Sequence, residues 1–390
     1  MFRLSIVGGY VMKKVAILSV FIFSVLLSAC SFPTGEQKEP SSSLKLNNPK
    51  STTPKFVNIK LDKNLSVKAD IIGANAKNLK TNTIFLKNFD EEQTKKVFLK
   101  NKKVVKTNEV VNWLFPEYKD KFFDFSDGSY LTKQYGSLVY STPYFEDREY
   151  DNVLSGTTYF IRSDLKEVFN KTTLENIDKN IAIETVKNAA NGVGISNLGK
   201  PEVVALDLKT LESEWEDYET KNGVPPRKWE KADEAYAVIF PVVYDNINIT
   251  NKGYANPANQ MNATGSRIMG VVTKGGLIYF TASGIYEVGK ILKEKITPIT
   301  LETALAKVKN KYKNVLLTDP VRVSKIALEY VPTVSNDKAL NYKLVPAWVF
   351  SAKQETTVND KKGDTFKTSA EFTILINAET GQEIRSGGER

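Results

Sequence analysis

The sequence predicts an α+β protein: a β-rich N-terminal region followed by two units in which a helix covers an antiparallel sheet. Three observations lead there. Aromatic residues make up 11% of the chain, with 17 Tyr, 20 Phe and 4 Trp, and such side chains suit the pleated surface of a sheet. Polar and apolar residues alternate in short runs bounded by Gly, Asn and Asp, as strands require. From about residue 174 a helix-period stretch followed by strands occurs, and the same order returns from residue 300.

The β-rich region covers 56–160. Asn64 to Ile71 alternates polar and apolar side chains, and Thr83 to Leu86 forms a second strand. Asp90 to Leu99 reads as a helix, with Asp90 as N-cap and Val97 and Phe98 apolar. Ser137 to Tyr144 and Thr157 to Ile161 are further strands. The cluster Phe122, Phe123, Phe125 and Tyr130 points to packing rather than to a sugar-stacking platform.

The first helix-on-sheet unit is placed at 161–292. Its helix runs from Ile177 to Asn191 with Ile181, Ile183, Val186 and Ala189 as the apolar stripe and Gly192 as the stop. A strand at Pro201–Asp207, a helix at Leu208–Lys221 and a strand at Ala235–Tyr244 follow. A hairpin, Arg267–Thr273 and Leu277–Thr281, turns through Lys274, Gly275 and Gly276. The second unit, 293–390, opens at Thr300 with Leu301, Ala304, Leu305 and Val308 at helical spacing. Strands follow at Val321–Val331, Tyr342–Ala352 and Thr368–Asn377. Pro241 and Pro346 sit in comparable apolar strands and suggest equivalent bends.

The N-terminus carries an address. Met12, Lys13 and Lys14 precede an apolar run from Val15 to Leu27, and Leu27-Ser28-Ala29-Cys30 ends it. The run is shorter than the roughly 20 residues of a spanning helix and matches a signal-peptide core. Its ending resembles the lipobox of bacterial lipoproteins, which implies cleavage between Ala29 and Cys30 and acylation of the Cys30 sulfur, with residues 1–30 as the signal. Residues 1–11 precede the better start at Met12. Residues 31–55, with Pro33, Pro40, Pro49, Pro54 and a serine run, lack apolar periodicity and read as a flexible tether. The expected location is the extracytoplasmic face of the cell membrane, held by lipid.

Composition narrows the chemistry. The chain has 390 residues, no histidine and a single cysteine, Cys30. That removes the usual neutral-pH general base, Ser-His and Cys-His pairs and the His-containing zinc sites. No metal and no cofactor are expected. The net charge of +9, less the three cations Arg3, Lys13 and Lys14 of the signal, leaves +6 spread along the chain. No nucleic-acid motif accompanies it, so nucleic acid is not an expected partner.

Three motifs invite sharper readings. Ser163 and Lys166 fit the S-x-x-K spacing of an activated serine nucleophile, but also a capped surface turn. Glu212, Glu214, Glu216, Asp217 and Glu219 crowd one helix beside Trp215; a carboxylate pair for acid–base work is weighed there against a solvated acidic face. Gly192, Gly194 and Gly199 approach a phosphate-loop spacing. They follow a helix where that motif requires a strand, so they read as a helix stop and loop.

Leu344 to Phe350, followed by Ile376 to Ile384, resembles the end of a PepSY-type unit and of extracytoplasmic regulators of the YycH and YycI type. The similarity covers 295–385 well and 174–285 loosely, and the layout is similar to that of lipoproteins of low-GC Gram-positive bacteria. The resemblance implies a non-catalytic module that binds a peptide or a membrane-protein partner. Tyr236, Phe240, Tyr342 and Trp348, on the two long apolar strands, are the expected partner-binding residues. The alternative is a cell-envelope hydrolase using Ser163 and Lys166 or a carboxylate pair. Asn377 to Gly381 reads as a turn in which Gly381 supplies a positive φ.

Overall fold

The computed structural model describes residues 54–112, 115–157, 160–161, 165–252, 254–256, 261–313, 315, 317–334, 342–359 and 365–384. The chain starts with the hairpin β1 (Phe56–Asp62) and β2 (Leu65–Ile72), then β3 (Leu79–Leu86). Helix α1 (Glu91–Leu99) begins where the Asp90 carboxylate accepts the Gln93 N–H at 2.6 Å, with Glu91 and Glu92 in the first turn. A meander follows: β4 (Val104–Val111), β5 (Lys119–Phe125), β6 (Tyr130–Gln134) and β7 (Ser137–Ser141).

The middle of the chain holds short helices α2 (Pro143–Asp147) and α3 (Tyr150–Leu154), the ribbon β8 (Ser155–Thr157) and β9 (Phe160–Ile161), and α4 (Leu165–Val168). Helix α5 (Lys179–Gly192) is capped by Asp178 and is followed by β10 (Glu202–Leu206), α6 (Leu208–Asn222) and β11 (Ala235–Phe240). Two ribbons come next, β12 (Val243–Tyr244) with β13 (Ile247–Asn248), and β14 (Tyr254–Asn256) with β15 (Met261–Ala263). The hairpin β16 (Arg267–Thr273) and β17 (Gly276–Ser283) leads into β18 (Tyr286–Ile296). Helix α7 (Leu301–Tyr312), capped by Thr300, precedes β19 (Val321–Val334), β20 (Tyr342–Asn359) and β21 (Thr365–Asn377).

These strands form two large curled sheets. One has the order β1-β2-β19-β20-β3-β18, with β21 also on β20; the other runs β10-β11-β16-β17-β7-β6-β5-β4. This corrects the expected fold class. Among the described residues 47% lie in strands and 22% in seven helices, which is not an α+β arrangement of two PepSY-like helix-on-sheet units. The reason is partnership. β2 pairs in parallel with β19 from Val321↔Leu65 to Ala327↔Ile72, and β3 pairs with both β18 and β20. The meander β4–β7 likewise completes the sheet of β10, β11, β16 and β17. Periodicity locates strands; it does not say which strand closes which ladder.

Both sheets are covered. The largest core cluster joins them, setting Phe123, Leu131 and Phe280 with Tyr330, Tyr342 and Leu344, and adding Phe98 of α1 and Val186 of α5. Helix α7 lays Leu301, Ala304, Leu305 and Val308 onto Val323, Trp348 and Phe350 on the remaining face of the first sheet. Each large aliphatic side chain buried there contributes roughly 1.5–3 kcal/mol. Helix α6 and its loop place Leu211, Trp215 and Trp229 against Val204, Ala237 and Val271 of the second sheet.

The two prolines differ. Pro241 ends β11, and the chain re-pairs at Val243. Pro346 lies within continuous β20, at the point where that strand's neighbour changes from β3 (Tyr342–Leu344) to β21 (from Ala347). Its carbonyl accepts the Ala378 N–H at 2.9 Å.

Helix α5 approaches β16 closely because position 270 is glycine. A Cβ on Gly270 would lie 2.5 Å from Val186 Cγ2. Gly270→Ala is expected to destabilise the fold by about 1–3 kcal/mol, seen as a lower urea midpoint with an unchanged slope.

Candidate functional site

Cys30, Ala29 and Ser163 lie outside the described residues. Lys166, on α4, ion-pairs with Glu202 Oε1 at 2.9 Å, both side chains about half exposed. On α6, Glu212 and Glu216 are exposed and Glu214 is half-buried, while Trp215 is buried; the side chains of Asp217 and Glu219 lie outside the described set. Among the described residues no group of three or more His, Cys, Asp or Glu is placed to hold a metal ion.

The four expected partner-binding residues are core. Tyr236, Phe240, Tyr342 and Trp348 are exposed by 1%, 3%, 5% and 2%. The Leu174 N–H donates to the Tyr236 hydroxyl at 2.7 Å, and Trp348 Nε1 donates to the Ile299 carbonyl at 2.9 Å. Long apolar strands in the middle of a two-sided sheet are buried on both faces. At the chain's last turn, Asn377 Oδ1 accepts the Glu379 and Thr380 N–H groups at 2.8 and 3.0 Å, and Gly381 takes φ +71°.

A cleft of about 510 Å³ opens between the α2–α3 junction and the Val224–Lys228 loop. Its arginines are committed to structure. Arg148 Nε meets Asp233 at 2.9 Å, and Arg227 lies 4.6 Å over the Trp215 ring while pairing with Glu149 at 3.2 Å. Asp233, fully buried, also accepts the Tyr144 hydroxyl and the Glu230 N–H. A second cleft, about 660 Å³, lies where Pro54 and Lys55 enter, beside Ile71–Lys77 and Asp245–Ile247. Neither gathers free polar groups around a reacting position.

Glu329 of β19 is a buried carboxylate, 7% exposed. Burial holds its pKa above the ordinary glutamate range, against the lowering pull of Lys325 at 3.8 Å, a hydrogen bond with Thr250, and Lys252.

The sheet edges are where backbone chemistry stays available. Edge strands usually carry devices against pairing with other chains. β18 has three register breaks and the exposed lysines Lys290, Lys293 and Lys295. β10 is five residues long behind Pro201, β1 is broken between Lys60 and Asp62, and β21 is capped at its inner end by the Ile384 N–H on the Leu375 carbonyl. β4 differs. After a break between Val104 and Lys106 it pairs with β5 regularly to Val111, and residues 105–111 are all exposed. Val105, Val110 and Val111 show 64%, 57% and 55% of their surface.

The outward groups of β4 follow from its ladder. The Asn112 N–H donates to the Tyr118 carbonyl at 2.9 Å. Antiparallel pairing alternates, so even-numbered residues bond β5, and the N–H and C=O of Thr107, Glu109 and Val111 point away from the sheet. Glu109 pairs with Lys119 at 3.0 Å and Lys121 at 3.1 Å, and these hydrogen bonds hold its carboxyl below the usual carboxylate range. No strand is assigned to 104–111 from the sequence. The signal was present as Val-Val and Val-Val flanking a short polar centre.

The described residues thus define a mostly β, two-sheet protein with an open edge strand. No protein-family model and no curated protein sequence matches the chain. It is similar to an uncharacterized protein from Eubacterium rectale ATCC 33656, known from a crystal structure at 1.45 Å resolution. The TM-score is 0.64 at 18% identity, covering 85% of this chain and 94% of that one. The likeness is one of fold.

The raised pKa of Glu329 has a definite sign. Stability from its protonated form is complete below the unfolded glutamate range and declines as pH rises through the folded value. Glu329→Gln is therefore expected to gain stability relative to the wild type as pH rises above the ordinary glutamate range, measured by urea unfolding at a series of pH values. Asp233→Ala, which strips Arg148 of its buried partner, is expected to cost about 3 kcal/mol in the same assay.

Proposed function

We propose that the chain is a membrane-anchored lipoprotein of the extracytoplasmic face, acting as a binding or regulatory module for a peptide or protein partner. Lys13, Lys14, the apolar run and Ser28-Ala29-Cys30 support the anchor, since two acyl chains give lasting membrane attachment. The observation that carries the binding role is β4, an edge strand left regular, exposed and apolar at one end. An extended partner adds to such an edge through main-chain hydrogen bonds. The lack of histidine across the chain fits recognition better than hydrolysis.

Two measurements test this. Radiolabelled palmitate is expected on the wild type and absent from Cys30→Ser; label that survives the substitution sinks the anchor. A photoreactive side chain at Val110 is expected to give one discrete adduct in intact cells, and the same group at exposed Ile181 none. No adduct at Val110 sinks the binding role.

A further inference from the structure

We infer that the β4 edge receives an antiparallel extended segment of a different protein, whose order is two apolar residues, a basic residue, two uncharged residues and an acidic residue. This rests on the binding role proposed above and names its partner chemistry.

The order follows from β4 itself. Thr107, Glu109 and Val111 offer the outward main-chain groups, and an incoming antiparallel chain, the more stable pairing per residue, bonds them when it runs opposite 111 down to 106. Directly opposed side chains share a face, and oppositely charged pairs there stabilise while like pairs do not. The first two positions then lie against Val111 and Val110, more than half exposed. The third faces Glu109, and the sixth faces Lys106. On β5 the neighbours of these two are Lys121 and Asp124, so charge already alternates across the ladder, and the incoming chain continues it.

The same charges disfavour a second copy of this chain in the registers that use Thr107 and Glu109. The two-fold axis of an antiparallel strand pair stands normal to the sheet, so each residue meets one of its own parity. Three registers keep Thr107 and Glu109 paired. They set Glu109 directly opposite its counterpart, or diagonal to it, or bring Lys106 diagonal to its counterpart. The directly opposed pair is destabilising, and the diagonal ones bring like charges within about 7–8 Å of each other. Edge charges that disfavour self-association while leaving main-chain groups free are a specificity device.

The test uses the detergent-solubilised full chain and two capped fluorescent peptides, Val-Ile-Lys-Thr-Val-Glu and its charge-exchanged form Val-Ile-Glu-Thr-Val-Lys. Anisotropy is expected to show about tenfold tighter binding of the first. The double variant Lys106→Glu with Glu109→Lys is expected to reverse the preference. Thr107→Pro removes an outward N–H that β5 does not use, and is expected to weaken the first peptide by about tenfold or more with the circular dichroism spectrum unchanged. Equal affinity for the two peptides, or no reversal in the double variant, overturns the inference even if Thr107→Pro fails to fold. A wild-type dimer in sedimentation that Thr107→Pro dissolves overturns it in favour of a second copy. A surviving Val110 adduct alongside equal peptide affinities would sink the pairing order alone; loss of the adduct sinks the binding role.

Discussion

Strand β20 is the constraint on which the first sheet depends. It pairs with β19 along Tyr342–Gln354, with β3 at its start and with β21 from Ala347 onward. One strand therefore registers the N-terminal segment against the C-terminal hairpin. Because side chains alternate with period two, a one-residue slip of β20 would turn Trp348 and Phe350 from the α7 side to the other face. Tyr342 and Leu344, which fill the core between the sheets, would move with them. Pro346 sits at the change of partner and offers no N–H to either neighbour; its carbonyl is satisfied by Ala378.

Because the central strands of both sheets are covered on both faces, the side chains that looked most suited to recognition are spent on packing. Aromatic strands such as Ala235–Phe240 hold three layers together. The buried polar groups do the same at a smaller scale: Asp233 gathers Tyr144, Arg148 and the Glu230 backbone and so fixes the α2–α3 junction on the second sheet. What remains for a partner is the rim, where backbone groups point out and few side chains compete. There the difference between β18 and β4 is one of regularity. Three register breaks spoil the first as a template; the second runs straight through its last six residues.

Local structure was largely legible in the sequence. The Asp90 cap, the Thr300 cap with Leu301, Ala304, Leu305 and Val308, and the Gly381 turn all follow from short-range chemistry; the stripe of α5 was only half read, since Val186 and Ala189 are buried with Ala182 and Ala190 while Ile181 is 65% exposed. The architecture was not. β2 reads as a half-buried strand in either fold, and nothing within Leu65–Ile72 announces that its parallel neighbour begins at Val321. An apparent repeat then looked like two closed units, when the strands between and before them complete each sheet. The site was missed for a related reason. Burial selects strong apolar runs, and β4 is exposed on both faces, so its pattern is weak beside Tyr342–Asn359.

The parallel contact of β2 with β19 sets a timetable for assembly. Lys80 donates its N–H to the Tyr330 hydroxyl across 250 residues of chain. A polypeptide made from its N-terminus must hold the outer edge of the β1–β2 hairpin and all of β3 without their later neighbours until the last quarter has emerged. Pairings this remote in sequence are slow to form and leave strand edges open to wrong partners meanwhile. That waiting interval is a period of vulnerability for the nascent chain. Holding chaperones at the exit would shield it, and the lysines scattered through β1–β3 would keep the idle strands in solution.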